Sequence, residues 1–326
     1  MGEALKSLAG RLAFRHLRMI VAIADAGNLV GAAATLNMTQ SAVTKALQEV
    51  EALLRTRLFD RTNRGAVPTV VGMALIGHAR LILAQLRHAE EHLADLRDGT
   101  GGRVVVGTLL SASASLLPRA IVRLRAARTR IDIKVVEATN DVLMPLLRSG
   151  ELDLVVGRLS EHRETADVEQ EALFPDQPCV VCRAGHPLTR LAQPGPADLT
   201  GWDWILPPPD VSLRRQLDVA FRQAGVAPPH HAVESVSLLT NRALLQAGDY
   251  LAVLPLQAGL AEAATGALVI LPLTMPTVAR PVGITRRAGS TLSPATQTFL
   301  RVLREVSEEM QAQLQPAADC ADQDDN

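Results

Sequence analysis

The chain has 326 residues, of which 48% are apolar and 21% charged, enough for two folded units and a sizeable core. Its formal net charge of −1 gives by itself no support for a nucleic-acid partner. Residues 1–64, however, carry nine basic and five acidic side chains, whereas residues 305–326 carry seven acidic and no basic ones. The acidic end therefore conceals a basic amino-terminal segment.

Composition and local sequence exclude several classes of protein. Three cysteines are too few for a disulfide framework, and no apolar leader with a cleavage site opens the chain, so we expect a cytoplasmic protein. The apolar stretch Leu251–Leu273 is interrupted by Pro255, Gly259 and Gly266, which favours a strand, a short helix and a strand over a membrane span. Aromatic residues make up 2%, too few for stacking platforms that bind single-stranded nucleic acid.

Three short helices are predicted within the first sixty residues. Apolar residues recur at helical spacing in Phe14–Ala26, Asn28 offers a cap for Leu29–Leu36, and Thr39 offers a cap for a third helix. The tight turn between the second and third helices is typical of a helix-turn-helix. Residues 58–60 and 66–68 then predict a basic hairpin, so residues 1–70 form a winged helix-turn-helix domain.

A long helix is predicted over residues 71–97, followed by a glycine-rich joint. Its apolar residues are spaced alternately by four and three, in the order Leu75, Ala79, Ile82, Leu86, Ala89, Leu93 and Leu96. Such a heptad seam implies a partner helix, most simply from a second copy of the chain. Residues 71–99 are therefore a candidate dimerisation linker.

Residues 100–315 alternate between apolar strands and amphipathic helices, which predicts mostly parallel sheets covered on both faces. We expect two α/β lobes with a ligand cleft between them: the first from about 100–170 and 275–315, the second from about 171–274. The last strand and helix return to the first lobe. The closing helix is expected to end near Gln313, with a disordered acidic tail over residues 316–326.

The amino-terminal segment resembles the LysR-type transcriptional regulators. The residues that carry the resemblance are Ala32–Ala34, Thr39–Thr44, Leu58–Arg61, Pro68, Thr69 and Gly72. The order of elements agrees over about 310 residues, with Ser41 standing where most members have proline. Within the family, residues 146–159 resemble the branch that contains regulators of sugar uptake and aromatic-acid breakdown. The resemblance implies an α plus α/β fold and a homodimeric or homotetrameric regulator that binds promoter DNA and responds to an organic acid or sugar.

For DNA binding, the third helix would enter the major groove with the side chains opposite its apolar face. These are Gln40, Ser41, Thr44, Lys45 and Gln48, with Thr39 as the cap. Arg61 and Arg64 of the hairpin and Arg15 and Arg18 of the first helix would contact phosphates. The alternative is that any one of them only belongs to a solvated polar face.

For effector binding, the loop after the first strand of the lobes offers hydroxyls and backbone NH groups at a helix N-terminus, an arrangement that favours an anionic or polar group. Its candidates are Ser111, Ala112 and Ser113; by the resemblance this loop and Ser237 line the cleft. Arg158 could reach a carboxylate. Helix capping is the alternative for Ser111 and Ser115, and a surface salt bridge is the alternative for Arg158.

No catalytic residue, metal or cofactor is expected. Cys179 and Cys182 lie three apart on a predicted strand, so their side chains point to opposite faces and are better explained as buried thiols. His88 and His92 lack a third metal ligand and the glutamate of a metalloprotease motif. A solute-binding protein or a cleft enzyme without a DNA role remains the alternative function; a membrane partner is not expected.

Overall fold

The computed structural model describes residues 12–62, 65–98, 101–127, 129–159, 166–273 and 279–321. Contacts divide the chain into two compact units. The first comprises Met1–Gly102 with Pro145–Leu152, and the second comprises Arg103–Met144 with Asp153–Asn326. The amino-terminal part of the first unit, up to Pro68, is called the head below.

The head contains the three predicted helices: α1 (Phe14–Ala26), α2 (Leu29–Leu36) and α3 (Gln40–Leu54). The predicted caps are confirmed, since the Asn28 side chain accepts a hydrogen bond from the Gly31 backbone NH and Thr39 accepts one from Ala42. The helices enclose an apolar core of their own. Its α3 contribution is Val43, Leu47 and Val50, all buried.

The hairpin follows as β1 (Phe59–Thr62) and β2 (Gly65–Pro68), paired antiparallel. The Glu51 carboxylate of α3 accepts hydrogen bonds from the backbone NH groups of Leu58 (2.7 Å) and Phe59 (3.3 Å), at the start of β1. On the other strand, Ala66 donates its NH to the Gly27 carbonyl. Gly65 has a φ of +124°, and a Cβ there would lie 2.2 Å from that carbonyl. The hairpin is thus held at both strands.

Helix α4 (Val70–Asp98) follows the hairpin directly, and Thr69 accepts a hydrogen bond from the Gly72 NH at its start. The first turns of α4 pack on the head core through Leu75 and Ile76. Among the described residues, the α4 stretch Val70–Glu90 is the one long and apolar enough to cross a membrane. The other apolar stretch, Leu251–Leu273, is divided into a strand, a helix and a strand, as predicted.

The second unit contains two five-stranded sheets. The elements from Arg103 up to the lobe crossover are β3 (Arg103–Thr108), α5 (Leu110–Ser113), α6 (Leu116–Ala126), β4 (Asp132–Glu137), α7 (Asn140–Arg148), β5 (Leu154–Arg158) and β6 (Val168–Asp176). The part of α7 from Pro145 onward belongs to the first unit. After the crossover come β7 (Pro178–Cys182), two 3-10 helices (Pro187–Arg190 and Pro196–Leu199), β8 (Asp203–Leu206), α8 (Ser212–Gln223), β9 (His231–Glu234), α9 (Leu238–Ala247), β10 (Tyr250–Pro255), α10 (Leu256–Ala264), β11 (Val269–Ile270), β12 (Arg280–Arg287) and α11 (Pro294–Ala321).

The sheets define two lobes. The first sheet has the order β4-β3-β5-β12-β6, and the second has the order β11-β7-β10-β8-β9. The predicted return of the last strand and helix is confirmed: β12 pairs with β5 and β6, and α11 contributes Phe299 and Leu303 to the first-lobe core. The α plus α/β fold class is therefore confirmed.

Three expectations need correction. Each sheet has two parallel and two antiparallel strand pairs, and every antiparallel pair contains β7 or β12. Strand β6 belongs to the first sheet, so the crossover lies at Gln177 and not near residue 171. Helix α11 continues to Ala321, which contradicts the disordered tail for residues 316–321. Ala317 and Ala318 favour a helix there, and no glycine ends it.

His186 is a buried titratable group in the second lobe. Its ring packs on Trp202 with centroids 4.5 Å apart, and its Nδ1 accepts a hydrogen bond from the Leu188 NH. Burial lowers the pKa of His186 below its ordinary value of 6.5, and the negative charge of Asp249 offsets part of this effect. The folded chain therefore favours the neutral ring.

We predict that Glu51→Ala lowers the free energy of unfolding of the head by about 2 kcal/mol, because two backbone NH groups at the start of β1 lose a charged acceptor. Urea titration of the full chain, followed by hydrogen exchange in α1–α3, measures the loss. Glu49 is exposed on the same helix, so Glu49→Ala is the matched control. Equal destabilisation by both variants would contradict the anchoring role.

We also predict that stability decreases as the pH falls below about 6.5, since the unfolded chain then binds a proton at His186 that the folded chain resists. The melting temperature is compared at pH about 7.5 and about 5.5. His186→Asn keeps an acceptor for Leu188 and should reduce this loss, whereas substitution of the exposed His230 should not. An unchanged pH dependence in His186→Asn contradicts the prediction.

Candidate functional sites

The predicted DNA-contacting residues of α3 share one face of the helix. Gln40, Ser41, Lys45 and Gln48 are exposed, and Thr44 is half-buried. The opposite face, with Val43, Leu47 and Val50, forms the head core. The structure therefore presents a row of amides, hydroxyls and an ammonium group on the outer face of a firmly packed helix.

Thr39 has two roles at the start of this helix. Its Oγ1 accepts a hydrogen bond from the Ala42 NH at 3.2 Å and lies 3.0 Å from the Ser41 hydroxyl. The helix therefore begins in the ordinary way, with Ser41 in its first turn. The two linked hydroxyls stand at the N-terminus of α3, where backbone NH groups favour a phosphate oxygen.

The predicted phosphate contacts are only partly described. Arg15 and Arg18 are exposed on α1. Arg61 lies on β1, but its side chain is outside the described residues, and so is all of Arg64. Of the four predicted phosphate contacts, the structure therefore describes the side chains of Arg15 and Arg18.

The predicted seam of α4 separates into two parts. Ala79 is fully buried and Leu75 packs on the head core, so residues of the same chain cover both side chains. Ile82, Leu86 and Leu93 are exposed by 44%, 42% and 67%. The expectation that Ala79 meets a partner helix is therefore wrong, and the exposed part of the seam begins at Ile82.

The loop after β3 differs from its expected form. It folds into the one-turn helix α5, in which the NH groups of Ala112 and Ser113 donate to the Leu109 carbonyl. The Ser113 hydroxyl donates to Glu137 at 3.1 Å, and Ala112 is fully buried. The expected free NH groups of Ala112 and Ser113 are therefore already paired.

Ser111 lies inside α5, and Ser115 occupies the N-cap position of α6 without a capping hydrogen bond from its side chain, so neither hydroxyl acts as a helix cap. The buried Ser111 Oγ accepts a hydrogen bond from the Arg158 NH at 3.0 Å. The Ser115 hydroxyl donates across the lobes to Gln257 at the start of α10, at 3.3 Å. Leu110 and Ala114 also pack on the core of the second lobe. The α5 segment is therefore part of the surface where the lobes meet.

Arg158 lies at the end of β5 and forms a buried ion pair. Its Nη2 donates to Asp176 Oδ2 at 2.6 Å, with the two side chains exposed by only 8% and 1%. Its Nη1 donates to Gln216 Oε1 of α8 in the other lobe at 2.9 Å. The surface salt bridge considered for Arg158 is thus replaced by a buried pair within the first lobe, and the hydrogen bond to Gln216 links Arg158 to the second lobe.

Burial raises the pKa of Asp176 above its usual value, and the charge of Arg158 and the nearby amides of Gln257 and Leu256 offset part of that rise. Arg280 stands opposite Asp176 in the β6–β12 pairing. Burial and the positive charge of Arg158 lower the pKa of Arg280. The Asp176 carboxylate and the guanidinium groups of Arg158 and Arg280 thus lie at the same end of the first sheet.

We use the name interlobe polar cluster for seven polar residues of the two lobes. It comprises Ser111, Ser115, Arg158, Asp176, Ser212, Gln216 and Gln257. Three of its buried polar atoms make no hydrogen bond of normal geometry: Asp176 Oδ1, Gln216 Nε2 and Ser212 Oγ. Asp176, Ser212, Gln216 and Gln257 were missed from the sequence, although Ser212 and Gln216 lie one turn apart on α8.

Ser237 is not joined to the interlobe polar cluster by any hydrogen bond of the described residues. It is exposed and caps α9, where its Oγ accepts hydrogen bonds from the Thr240 NH and hydroxyl. Its predicted effector contact therefore has no support in the geometry, whereas its capping is observed.

The two cysteines among the described side chains, Cys179 and Cys182, are held as thiols. Cys182 belongs to one face of the second sheet and Cys179 packs on the other, as expected. Burial raises the pKa of the Cys179 thiol to about 12 and that of Cys182 to about 11, so neither is a thiolate at neutral pH. Among the described residues, no group of three or more metal-binding side chains occurs.

Comparison with known proteins covers both units. Residues 14–73 match the bacterial regulatory helix-turn-helix protein, lysR family, and residues 97–308 match the LysR substrate binding domain. The HTH-type transcriptional regulator GbpR of Azospirillum brasilense is 36% identical over 92% of this chain and 88% of its own. The HTH-type transcriptional regulator GalR of Pseudomonas putida is 33% identical over 90% of this chain and 73% of its own.

The crystal structure of CbnR, a LysR family transcriptional regulator, shares the fold with a TM-score of 0.66 at 20% identity, covering 91% of this chain and 99% of that one. The alternative of a solute-binding protein or cleft enzyme does not explain a DNA-binding head joined to a substrate-binding domain. The chain therefore belongs to the LysR family of DNA-binding, effector-responsive transcriptional regulators.

Proposed function

We propose that this regulator is a cytoplasmic homo-oligomer without catalytic activity, and that it controls a catabolic or uptake operon in response to a small organic acid or sugar. The observation that carries the proposal is the exposed polar face of α3, set on a head whose other faces are packed. The resemblance of residues 146–159 to regulators of sugar uptake and aromatic-acid breakdown supports the choice of operon.

In this proposal, α3 lies in the major groove of promoter DNA. Amides such as Gln40 and Gln48 can pair with adenine, Lys45 with guanine or phosphate, and the hydroxyls of Ser41 and Thr44 with bases or backbone. Arg15 and Arg18 contribute phosphate contacts from α1. The Glu51 hydrogen bonds fix the hairpin relative to α3, so both elements can meet the duplex together.

The effector would bind at the interlobe polar cluster. Hydrogen bonds of Ser115 with Gln257 and of Arg158 with Gln216 join the lobes there. A ligand that inserts among these groups binds one arrangement of the lobes better than another, and that difference in affinity is what shifts the population. Buried and unpaired polar atoms supply the contacts such a ligand needs.

The exposed seam residues Ile82, Leu86 and Leu93 would pair α4 with the same helix of a second copy. Their apolar side chains recur at heptad spacing on a helix of 29 residues. Pairing removes this apolar surface from water and brings two heads into one molecule, which suits a DNA site with approximate dyad symmetry.

We predict that Gln40→Ala or Thr44→Ala relaxes sequence preference. Each should lose about 1–3 kcal/mol of discrimination between the intergenic DNA beside its own gene and a scrambled duplex of equal composition. Fluorescence anisotropy with the full chain across a salt series measures both affinities. Arg15→Ala is the matched control, because it should weaken binding to both duplexes alike and lower the salt slope by about one.

Equal affinity of the unaltered chain for the two duplexes at every salt concentration would contradict the proposed promoter recognition. Unchanged discrimination in both α3 variants would contradict the assigned helix face while leaving DNA binding intact.

We predict that Leu86→Glu raises the dissociation constant of the oligomer at least about 100-fold, because a carboxylate enters the apolar seam of both helices. Analytical ultracentrifugation measures the constant. Gln85 is exposed one residue away, so Gln85→Glu adds the same charge outside the seam. If Gln85→Glu dissociates the oligomer as strongly, or Leu86→Glu has no effect, the seam is not the interface.

A further inference from the structure

Arg55 has an unusual backbone conformation at the end of α3. Among the described residues, two that are not glycine have a positive φ: Asn37 at 52° and Arg55 at 54°. Asparagine tolerates this left-handed region because its side chain is short and polar, whereas the Cβ of a long side chain such as arginine is strained there. Arg55 therefore occupies a position at which the backbone favours glycine.

The end of the helix fixes the conformation of Arg55. Its NH donates to the Ala52 carbonyl at 3.3 Å, and the Thr56 NH donates to the Glu51 carbonyl at 3.1 Å. These two bonds terminate the helix through a left-handed residue, and the hairpin begins a few residues later, at Phe59. The strain cannot relax without loss of these bonds, so it persists in the folded chain.

Contacts within the chain do not offset this strain. Arg55 is exposed, and among the described residues its guanidinium group forms no hydrogen bond or ion pair. Glu51, one turn earlier, accepts instead from the NH groups of Leu58 and Phe59. A cation gains from the helix dipole anywhere in the last turn, so this gain does not require a left-handed arginine. A strained residue whose side chain has no partner in the fold indicates a role in binding.

Helix geometry places Arg55 in line with the predicted DNA-contacting face of α3. Arg55 follows Gln48 by seven residues, which is close to two turns, so its Cα lies on the same side of the helix about 10 Å further along. The helix has 15 residues and a length of about 22 Å, whereas the major groove is about 12 Å wide. A helix that enters the groove with its first turns therefore ends at the level of the flanking phosphates.

We propose that Arg55 binds a phosphate of the DNA backbone beside the groove that α3 enters. Its guanidinium group neutralises one phosphate charge and contributes equally to the binding of every sequence. This inference rests on the proposed DNA binding through α3. It adds a contact from the end of that helix to those that the sequence predicts for α1 and the hairpin.

Arg55→Gly is the decisive variant, because it removes the charge and the strain together. Fluorescence anisotropy with the full chain measures its affinity for the intergenic DNA beside its own gene and for a scrambled duplex of equal composition. It should bind both duplexes roughly 5–10-fold more weakly at about 0.1 M salt and about twofold more weakly at about 0.4 M, with the salt slope reduced by about 0.9. Arg55→Lys keeps the positive charge and should keep the salt slope.

Hydrogen exchange in α1–α3 of Arg55→Gly separates this role from a structural one. Glycine relieves the left-handed strain, so protection of these amides should not fall and should rise by up to about fivefold. A variant that binds DNA more weakly while its head is at least as stable has lost a contact with DNA and has kept its fold.

Two variants serve as matched controls. Asn37→Gly makes the same backbone change at the other left-handed residue without removing a charge, so it should not change the salt slope. Arg222→Ala removes an exposed positive charge from the last turn of α8 in the second lobe. It should change neither the DNA affinity nor the salt slope.

Four results would each overturn the proposal: unchanged affinity and slope in Arg55→Gly, reduced protection of its head amides, a slope in Arg55→Lys as low as in Arg55→Gly, or an equal loss of affinity in Arg222→Ala. Failure of the proposed function gives a different result, in which the unaltered chain binds the two duplexes alike. A chain that discriminates between the duplexes without needing Arg55 retains the function and loses only this inference.

Discussion

The buried pair of Arg158 and Asp176 is the constraint on which the regulatory unit depends. Two charges that leave water together lose more solvation than a surface pair does, so such a pair persists only when its geometry and further hydrogen bonds are favourable. Here Ser111 orients the Arg158 backbone and Gln216 takes the second edge of the guanidinium. The pair links the ends of two first-lobe strands to a helix of the second lobe, and thereby sets which groups face the space between them.

In the head, the Glu51 carboxylate has a comparable role, because it holds two segments together through hydrogen bonds. Glu51 reaches from α3 to the start of β1, while the Gly27 carbonyl accepts a hydrogen bond from the Ala66 NH of β2. Both contacts are made to backbone atoms, so they constrain the path of the hairpin and leave the side chains of its outer surface free to vary. The same head could therefore recognise different DNA sequences without changing its frame.

Local signals made most of the fold predictable. The caps Asn28 and Thr39 marked two helix starts within a residue, and helical apolar spacing marked α1, α4 and α8. Strand β6 was missed, because Glu169 and Glu171 make it resemble a polar loop; in the fold they pair with Arg286 and Arg304. The two arginines are more than a hundred residues away in the sequence, so a local window around β6 does not show that its glutamates are paired.

The same contrast between local sequence signals and contacts from distant residues applies to the candidate sites. The α3 face was predictable since it needs only one helix and its period. The interlobe polar cluster was not, because Asp176, Gln216 and Gln257 come from three elements and each looks like an ordinary solvated residue in its own segment. Arg158 and Ser111 were found, but their partners decide their chemistry, and those partners are set by tertiary structure alone.

Helix α4 has a further consequence, since its first turns are part of the head core and its later turns carry the exposed seam. Each inserted residue would rotate the seam by about 100° around the helix axis relative to Ile76 and Ala79. Insertions of about 7, 11 or 18 residues, which rotate the seam by about 20° or less, would keep it facing a partner. In the proposed dimer, the helix period therefore restricts the relative orientations that the two heads can adopt when the length of α4 changes.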